Sequence, residues 1–380
     1  MKSGESPRRV LHVITDLYVG GAEAALTRLL SDPRMRDESY VVSLLPKGEF
    51  AGPLREAGIP FMELNFRRLS GIAGGMIRLT RLIVATKPKI VQGWMYHGDL
   101  AALIAVVLSG RRGATRLAWN IRCSNLDLAQ YGPLLRLVVR TCALFSSFPD
   151  LILANSSAGM EVHRALGYRP RRAEVVPNGI DVDRYRPDPQ ARAAVRRELG
   201  IADEAILLAH VARVDPMKDH GSFLQVMGEL PHLRAFIAGA GTESLPTPAN
   251  VHRLGKRGDV PRLLAAADFI VSSSAFGEGF SNALAEGMAC GLPPIATDVG
   301  DATMIVGDTG IVVAPCDPKA LARAIRTLAE ESPERRDGRG REARARIVDR
   351  FSLQRAQGRM REIYDELSAP ADGTRASRGS

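Results

Sequence analysis

The run Val10-Leu-His-Val-Ile-Thr15 leads into Gly20-Gly21 and then into a helical pattern from Ala22. A strand that is apolar on both faces needs cover on both, which a parallel sheet with crossover helices supplies. The same alternation continues along the chain. Tyr40–Leu45, Ile90–Gln92, Arg116–Asn120 and Leu151–Ala154 read as strands, with helical stretches near 72–86, 98–109, 133–146 and 156–166. A second series begins after Pro177-Asn-Gly-Ile-Asp181. Its strands are Ala205–Val211, Ala235–Ala238, Phe269–Ser272, Pro294–Thr297 and Gly310–Val313, and its helices fall near 219–229, 259–266, 281–290 and 317–331. Two successive series predict an α/β protein of two doubly wound, Rossmann-like domains facing one another across a cleft. Pro170, Pro177, Gly179 and Pro187 place the boundary between 168 and 185, so the domains are drawn as 1–170 and 171–350. Residues 352–367 read as a further amphipathic helix, and the tail 369–380 as disordered.

Composition narrows the class. The 380 residues are 45% hydrophobic and 24% charged, which excludes a fibrous or mainly disordered chain. Low aromatic content, 5%, beside 36 glycines suits helices packed closely on a buried sheet better than an all-β sandwich. The net charge of +9 is unevenly spread: residues 1–170 carry 22 Lys and Arg against 13 Asp and Glu, and the rest carry 29 of each. The first half therefore expects an anionic partner or surface. Cys123, Cys142, Cys290 and Cys316 form no CxxC pair and no metal-ligand spacing, so reduced thiols and a cytoplasmic setting are expected. The N-terminal apolar run is too short for a signal peptide, and Arg136 and Arg140 interrupt the best candidate for a membrane span, Leu134–Phe148.

Chemistry concentrates in Glu278-Gly-Phe-Ser-Asn-Ala-Leu-Ala-Glu286-Gly-Met-Ala-Cys-Gly-Leu-Pro293. A strand precedes it, so Glu278 is expected in a loop and Glu286 inside the following helix. Ser281 and Asn282 fall at the helix start, where unpaired backbone N–H groups hold anions. Asn282 and Glu286, four apart, share a face. Such a segment can hold a phosphate at one end and hydroxyl groups on its two carboxylates. For either glutamate alone, a solvated surface carboxylate is the plainer reading. Gly20-Gly21 lets backbone N–H groups approach an oxyanion, but it is not GxGxxG and gives nicotinamide binding little support. Gly239-Ala-Gly241 is a weaker echo of the same device, or a plain tight turn.

The string from Glu278 to Pro293, with seven residues between its glutamates, resembles retaining glycosyltransferases of family four. Gly20-Gly21-Ala22-Glu23, Pro177-Asn178-Gly179-Ile180-Asp181, His210-Val-Ala-Arg213-Val-Asp-Pro-Met-Lys218 and Leu254–Asp268 match further motifs of that family, in order. The resemblance spans roughly residues 8–367. It implies the GT-B architecture, with a C-terminal helix at 351–368 packing back toward the first domain. It also implies hexosyl transfer with retention, from a nucleotide sugar expected to be a UDP-sugar. The implied acceptor is a glycan or lipid-linked molecule in surface-polysaccharide assembly. No cofactor and no metal are implied.

By this resemblance Arg213 and Lys218 neutralise the diphosphate as the glycosidic bond breaks, where fixed cations lower the barrier. Glu278 binds hydroxyls of the donor sugar and Glu286 those of the ribose. Gly20, Gly21, Gly279, Phe280, Ser281 and Asn282 complete the donor site. His97 lies just past a strand, where related enzymes place a histidine near donor sugar and acceptor; a structural histidine is the plainer reading. One strand later the histidine common in the family is absent, and Arg122 stands in Trp119-Asn-Ile-Arg122 instead, suited to an acidic or phosphorylated acceptor.

Asp181-Val-Asp183 looks like a metal-binding pair, but it lies in the interdomain turn, where Asp serves turn geometry. Phe66-Arg67-Arg68-Leu69 with the apolar–basic stretch from Met76 to Ile83, and Leu134–Phe148, suit peripheral contact with an anionic inner membrane face. Ordinary core-facing helices are the plainer reading of both. Nucleic acid fits the charge, but no recognition motif accompanies it, and no such partner is expected. Two other functions stay open: a nucleotide-sugar epimerase of the same architecture, and a non-catalytic sugar-nucleotide-binding protein. The intact set Arg213, Lys218, Glu278 and Glu286 argues against the latter.

Overall fold

The computed structural model describes residues 9–18, 20–46, 48–124 and 132–369. Thirteen strands form among these residues. The first seven are β1 (Val10–Ile14), β2 (Ser39–Ser43), β3 (Phe61–Glu63), β4 (Ile90–Trp94), β5 (Arg116–Ile121), β6 (Leu151–Ala154) and β7 (Ala173–Val175). They pair in parallel in the order β3-β2-β1-β4-β5-β6-β7. The next six are β8 (Leu207–Val211), β9 (Arg234–Ala238), β10 (Val251–Arg253), β11 (Phe269–Ser272), β12 (Pro294–Thr297) and β13 (Ile311–Val313). They form a second parallel sheet, ordered β10-β9-β8-β11-β12-β13.

Both sheets are covered on both faces, as their apolar runs require. Leu11 and Val13 of β1 pack with Val91 and Val106 on one side, while Val10 and Ile14 pack with Leu26 and Trp94 on the other. In the second sheet Ala209 and Ile270 face Leu284 and Met288, and Leu208 and Phe269 face Phe223 and Ile325. Each such Val, Leu, Ile, Phe or Met side chain removed from water contributes about 1.5–3 kcal/mol. Strand order reverses between β1 and β4 and again between β8 and β11, and ligands of open α/β sheets bind beyond the strand ends at such points. The segments leaving those ends carry Gly20, His97, Arg213 and Glu278.

The chain crosses between the sheets twice, side by side. Ile180 bridges Ser352, with N–H bonds from Ile180 to the Phe351 carbonyl and from Leu353 to the Ile180 carbonyl, each 2.8 Å. A Cβ on Gly179 would lie 2.6 Å from Leu353 Cα, so the crossing requires glycine there. The helix Pro333–Phe351 packs on the helix Asn282–Ala289 of the second sheet. The helix Leu353–Ser368 returns to the first sheet, burying Met360, Ile363 and Tyr364 there, and Tyr364 donates to Gln92 at 2.6 Å.

Three strands go beyond the sequence reading: β3, β7 and β10, each three residues long and largely half-buried at a sheet edge. Phe61-Met-Glu63, Ala173-Glu-Val175 and Val251-His-Arg253 lack the apolar run that marks the equally short β13. β7 follows residue 170 yet pairs with β6, so the first sheet extends to Val175, beyond the line at 170 and within the 168–185 stretch that the prolines mark. The helix Pro189–Leu199 was also not anticipated, although Asp188 followed by Pro189 is a legible start; Asp188 accepts from the Ala191 N–H at 2.9 Å. Residues 370–380 of the expected disordered tail lie outside the described residues. Among the described residues no helix is long and apolar enough to cross a membrane.

Candidate active site

β8 delivers Arg213 and Lys218 through a turn built by two aspartates. Asp215 caps a 3-10 turn, Pro216–Lys218, accepting from the Met217 N–H at 3.1 Å, and it also pairs with Arg213 at 2.8 Å. Asp219, in the left-handed region at φ 42°, caps the helix His220–Glu229 through the Ser222 N–H at 3.1 Å. Beneath the turn, Ser273 Oγ donates to the Lys218 carbonyl at 2.9 Å and lies 3.0 Å from His210 Nε2. Its proton is thereby used, so Nε2 of His210 is the donor to Ser273, and burial holds that imidazole neutral. Gly239, at φ 153°, presses on the segment before Arg213: a Cβ there would lie 2.0 Å from the Ala212 carbonyl oxygen.

β11 delivers Glu278 in a loop and Asn282 at a helix start. Lys218 Nζ forms an ion pair with Glu278 Oε1, and the same oxygen accepts from Ser274 Oγ at 3.0 Å. Both charged side chains are largely buried, at 19% and 10% exposure, so each is the other's main counter-charge. The Phe280 ring is buried 5.5 Å from Phe351 and anchors the loop. Ser281 occupies the N-cap position of Asn282–Ala289 without a side-chain capping bond.

The first sheet contributes the facing wall. Arg122 follows β5 and lies over the Trp94 ring at 5.6 Å. Burial, with the like charge of Arg28, pushes its guanidinium down to about 9. It donates to Asn178 Oδ1, whose amide donates in turn to Asn282 Oδ1 at 2.9 Å. Ser124 Oγ donates to the Gly277 carbonyl at 3.0 Å. A cleft of about 510 Å³ results, lined by Gly21, Arg122, Arg213, Lys218, Glu278, Gly279, Phe280 and Asn282 among others.

Four residues singled out from the sequence are not on that lining: Gly20, His97, Ser281 and Glu286. The space over Gly20 is filled by the chain's own Glu23, whose Oε2 lies 2.3 Å from where a Cβ would stand, and burial raises the Glu23 carboxyl. His97 sits in the first turn of the helix Met95–Leu108, which starts directly after β4 because Met95 adopts φ 62°. Burial lowers the His97 imidazole and keeps it neutral. Ser281 lies behind the cleft, in a small cavity with His210, Lys218 and Ser274. Glu286 faces Arg28, Arg184 and Tyr185, and burial raises its carboxyl to about 7 although those groups pull the other way. Asp181 accepts from the N–H groups of Asp183 and Arg184 at 3.2 and 3.0 Å, a turn role. Among the described residues no three His, Cys, Asp or Glu side chains group as a metal site.

Sequence reasoning missed Asp215, Ser124 and Ser274, and it took Asn178 only as part of a turn. Asp215 carried a signal, an aspartate before Pro216 at a helical start. Ser124 and Asn178 carried none, because their partners Gly277 and Asn282 lie more than a hundred positions away.

Two Rossmann-like sheets whose switch points face a common cleft define the GT-B class. Residues 19–184 match the family described as Glycosyltransferase Family 4, and residues 205–331 match that described as Glycosyl transferases group 1. The chain belongs to the glycosyltransferases of family four. It is 31% identical over 208 residues to the D-inositol 3-phosphate glycosyltransferase 2 of Catenulispora acidiphila, covering 48% of each chain. It is 29% identical over 245 residues to the D-inositol 3-phosphate glycosyltransferase of Streptomyces bingchenggensis, covering 57% of this chain and 53% of that one. The chain thus spans about half the length of the curated relatives it matches. Its fold is similar to that of HepE from Anabaena, solved in complex with UDP, at a TM-score of 0.82 and 22% identity over 94% of this chain and all of that one. WaaG, a glycosyltransferase involved in lipopolysaccharide biosynthesis, superposes at a TM-score of 0.62 with 19% identity, covering 95% of this chain and 100% of that one.

Proposed function

We propose that the chain transfers a hexosyl group, with retention, from a UDP-sugar to a glycan or lipid-linked acceptor in surface-polysaccharide assembly. The observation that carries the reading is the convergence of Arg213, Lys218, Glu278 and the start of the helix Asn282–Ala289 on one cleft, with Arg122 opposite. The names of the inositol-phosphate glycosyltransferases and the UDP complex of HepE support it.

In the proposed reaction the bond between the sugar C1 and the β-phosphate oxygen breaks, and its electron pair stays on that oxygen. Lys218 and Arg213 balance the charge that accumulates there, and the unpaired N–H groups of the helix start add to them. Glu278 leaves Lys218 to accept from a sugar hydroxyl as Lys218 turns to the diphosphate. The acceptor hydroxyl oxygen bonds C1 from the face the phosphate leaves, and its proton passes to the departing phosphate oxygen. Glu278 is then engaged by the sugar hydroxyl and Ser274, and a same-face route asks for no carboxylate nucleophile. Arg122 holds an acidic group of the acceptor, and cations in place of a metal stabilise the leaving group.

The acceptor is proposed to be presented at an anionic membrane. In the helix Pro133–Phe145 Val138, Val139 and Cys142 are buried, with Leu135 and Ala143 packed against the same core, while Leu134, Leu137 and Leu144 are 69%, 62% and 76% exposed. Ile77 and Val84 on Leu69–Thr86, and Val107 and Leu108 on Met95–Leu108, are exposed on helices packed alongside. Arg67, Arg68, Arg78, Arg81 and Arg140 are exposed in the same region. Incubation with a panel of labelled nucleotide sugars tests the function. Sugar transferred to an added acceptor supports it, epimerised free sugar would identify an epimerase, and binding without turnover would identify a non-catalytic protein.

A further inference from the structure

Asp301 follows β12 and begins the short helix Ala302–Val306, yet its side chain makes no capping bond there. It reaches instead into the other half of the molecule. Its two carboxylate oxygens accept from the N–H groups of Ser157 and Ala158, at 2.9 and 3.1 Å. Those are the first two amides of the helix Ser157–Ala165, which packs on the first sheet. The third amide, of Gly159, is capped at 3.0 Å by Ser156 of the same helix. Asp301 is only 5% exposed. An acidic side chain at a helix N-terminus meets both unpaired donors and the positive end of the helix dipole.

The backbone beside Asp301 holds the loop that carries Glu278. Its N–H donates to the Gly279 carbonyl at 3.0 Å. Gly300, at φ 64°, lies so close that a Cβ would stand 2.3 Å from the Glu278 carbonyl oxygen. From the first sheet, Ser124 bonds Gly277, and a Cβ on Gly279 would stand 2.7 Å from Ser156 Oγ. The Glu278 loop is therefore pinned between Asp301 on one side and Ser124 with Ser156 on the other. Opening the two halves would release both carboxylate bonds of Asp301 and the bond of Ser124 together.

We infer that Asp301 is a positioning residue that couples closure of the two halves to the placement of Glu278. The inference rests on the donor-sugar reading of Glu278. When the halves are closed, the carboxylate docks on the helix Ser157–Ala165 and the attached loop sets Glu278 beside Lys218. When they part, those two amides face water and the loop loses its support. Lys218 and Arg213 stand on the second sheet's own strand ends, so nucleotide binding does not need the latch.

The test uses the full chain, UDP as the probe, and Asp301→Ala beside Asp301→Asn, which keeps one acceptor oxygen. In Asp301→Ala, hydrogen exchange at the Ser157 and Ala158 amides should quicken about tenfold or more, and solution scattering should show a more open particle. Affinity for UDP by calorimetry should stay within about twofold, while kcat falls about tenfold or more with little change in KM for the donor. Asp301→Asn should fall between that variant and the wild type, and it decides the question if the alanine variant does not fold. Unchanged exchange at Ser157 and Ala158 would overturn the latch. A loss of UDP affinity in proportion to kcat would make Asp301 a mere support of the second sheet and overturn the coupling. A wild type that transfers sugar from no donor would overturn the donor reading, and exchange with scattering would still decide whether Asp301 joins the halves.

Discussion

Replacing Glu286 by glutamine removes a carboxyl that burial raises from 4.5 to about 7. Arg28, Arg184 and the hydrogen bond with Tyr185 all favour the carboxylate, so burial outweighs three opposing contacts. At 1.36 kcal/mol per pH unit the difference amounts to at most about 3 kcal/mol. The sign follows from which state holds the proton more tightly. The native protein binds it better than the unfolded chain, so the benefit is complete below 4.5, shrinks as pH rises and is lost above about 7. Glutamine does not titrate. The stability of Glu286→Gln relative to wild type should therefore rise between about pH 5 and about pH 8, by up to roughly 3 kcal/mol. The buried, neutral His12, His163 and His210 titrate alike in both proteins and cancel in the difference. Urea unfolding of both proteins across that range is the assay, with calorimetry showing weaker UDP binding by the variant at the alkaline end. A stability difference that stays constant with pH would mean Glu286 ionises as freely as a surface carboxylate, and the reasoning from burial would fail.

Lys218→Ala should lower turnover about a hundredfold or more, the scale of one lost electrostatic contact in a transition state. Steady-state rates near wild type in a folded variant would remove Lys218 from the mechanism. EDTA should leave activity largely intact, because Arg213, Lys218 and the helix start near Ser281 supply the positive potential; loss on chelation with recovery on adding magnesium or manganese would bring back Asp181 and Asp183 as ligands. Gly300→Ala places a Cβ 2.3 Å from the Glu278 carbonyl oxygen at φ 64°. It should cost more than about 1 kcal/mol, and an unchanged thermal midpoint would contradict that packing. Wild type should float with anionic vesicles at low salt, and reversal of Arg67, Arg68, Arg78 and Arg81 to Glu should abolish it, each contact being worth about 1 kcal/mol. A wild type that stays with the soluble fraction would detach the basic half from any membrane role.

The GT-B layout was legible because its signals are local. A strand buried on both faces, as β1 is, must be apolar throughout, and it stands out between amphipathic helices. Glu278 was read from its loop after a strand, while Arg213 and Lys218 came from the resemblance of His210–Lys218 to a family motif, with their place after β8 in support. Asp215 could have been read the same way, from its place before a proline. The edge strands β3, β7 and β10 could not, since each mixes a charged residue into its three positions and lacks the apolar run that marks the equally short β13.

Tertiary structure alone decided which of these residues meet. Glu278 and Glu286 lie eight positions apart, yet one pairs with Lys218 and the other faces Arg28, Arg184 and Tyr185 in a buried site. The contacts from Arg122 through Asn178 to Asn282, and from Asp301 to Ser157, join residues from opposite sheets. The alternation of strands and helices and the helix starts depend on neighbours a few positions away, so the amino-acid sequence by itself determined them, whereas strand order joins distant segments such as Val10 and Ile90. The Lys218–Glu278 pair depends on β8 and β11 lying side by side in one sheet, and the raised carboxyl of Glu286 on burial beside Arg28 of the first half, and no spacing along the chain encodes either distance.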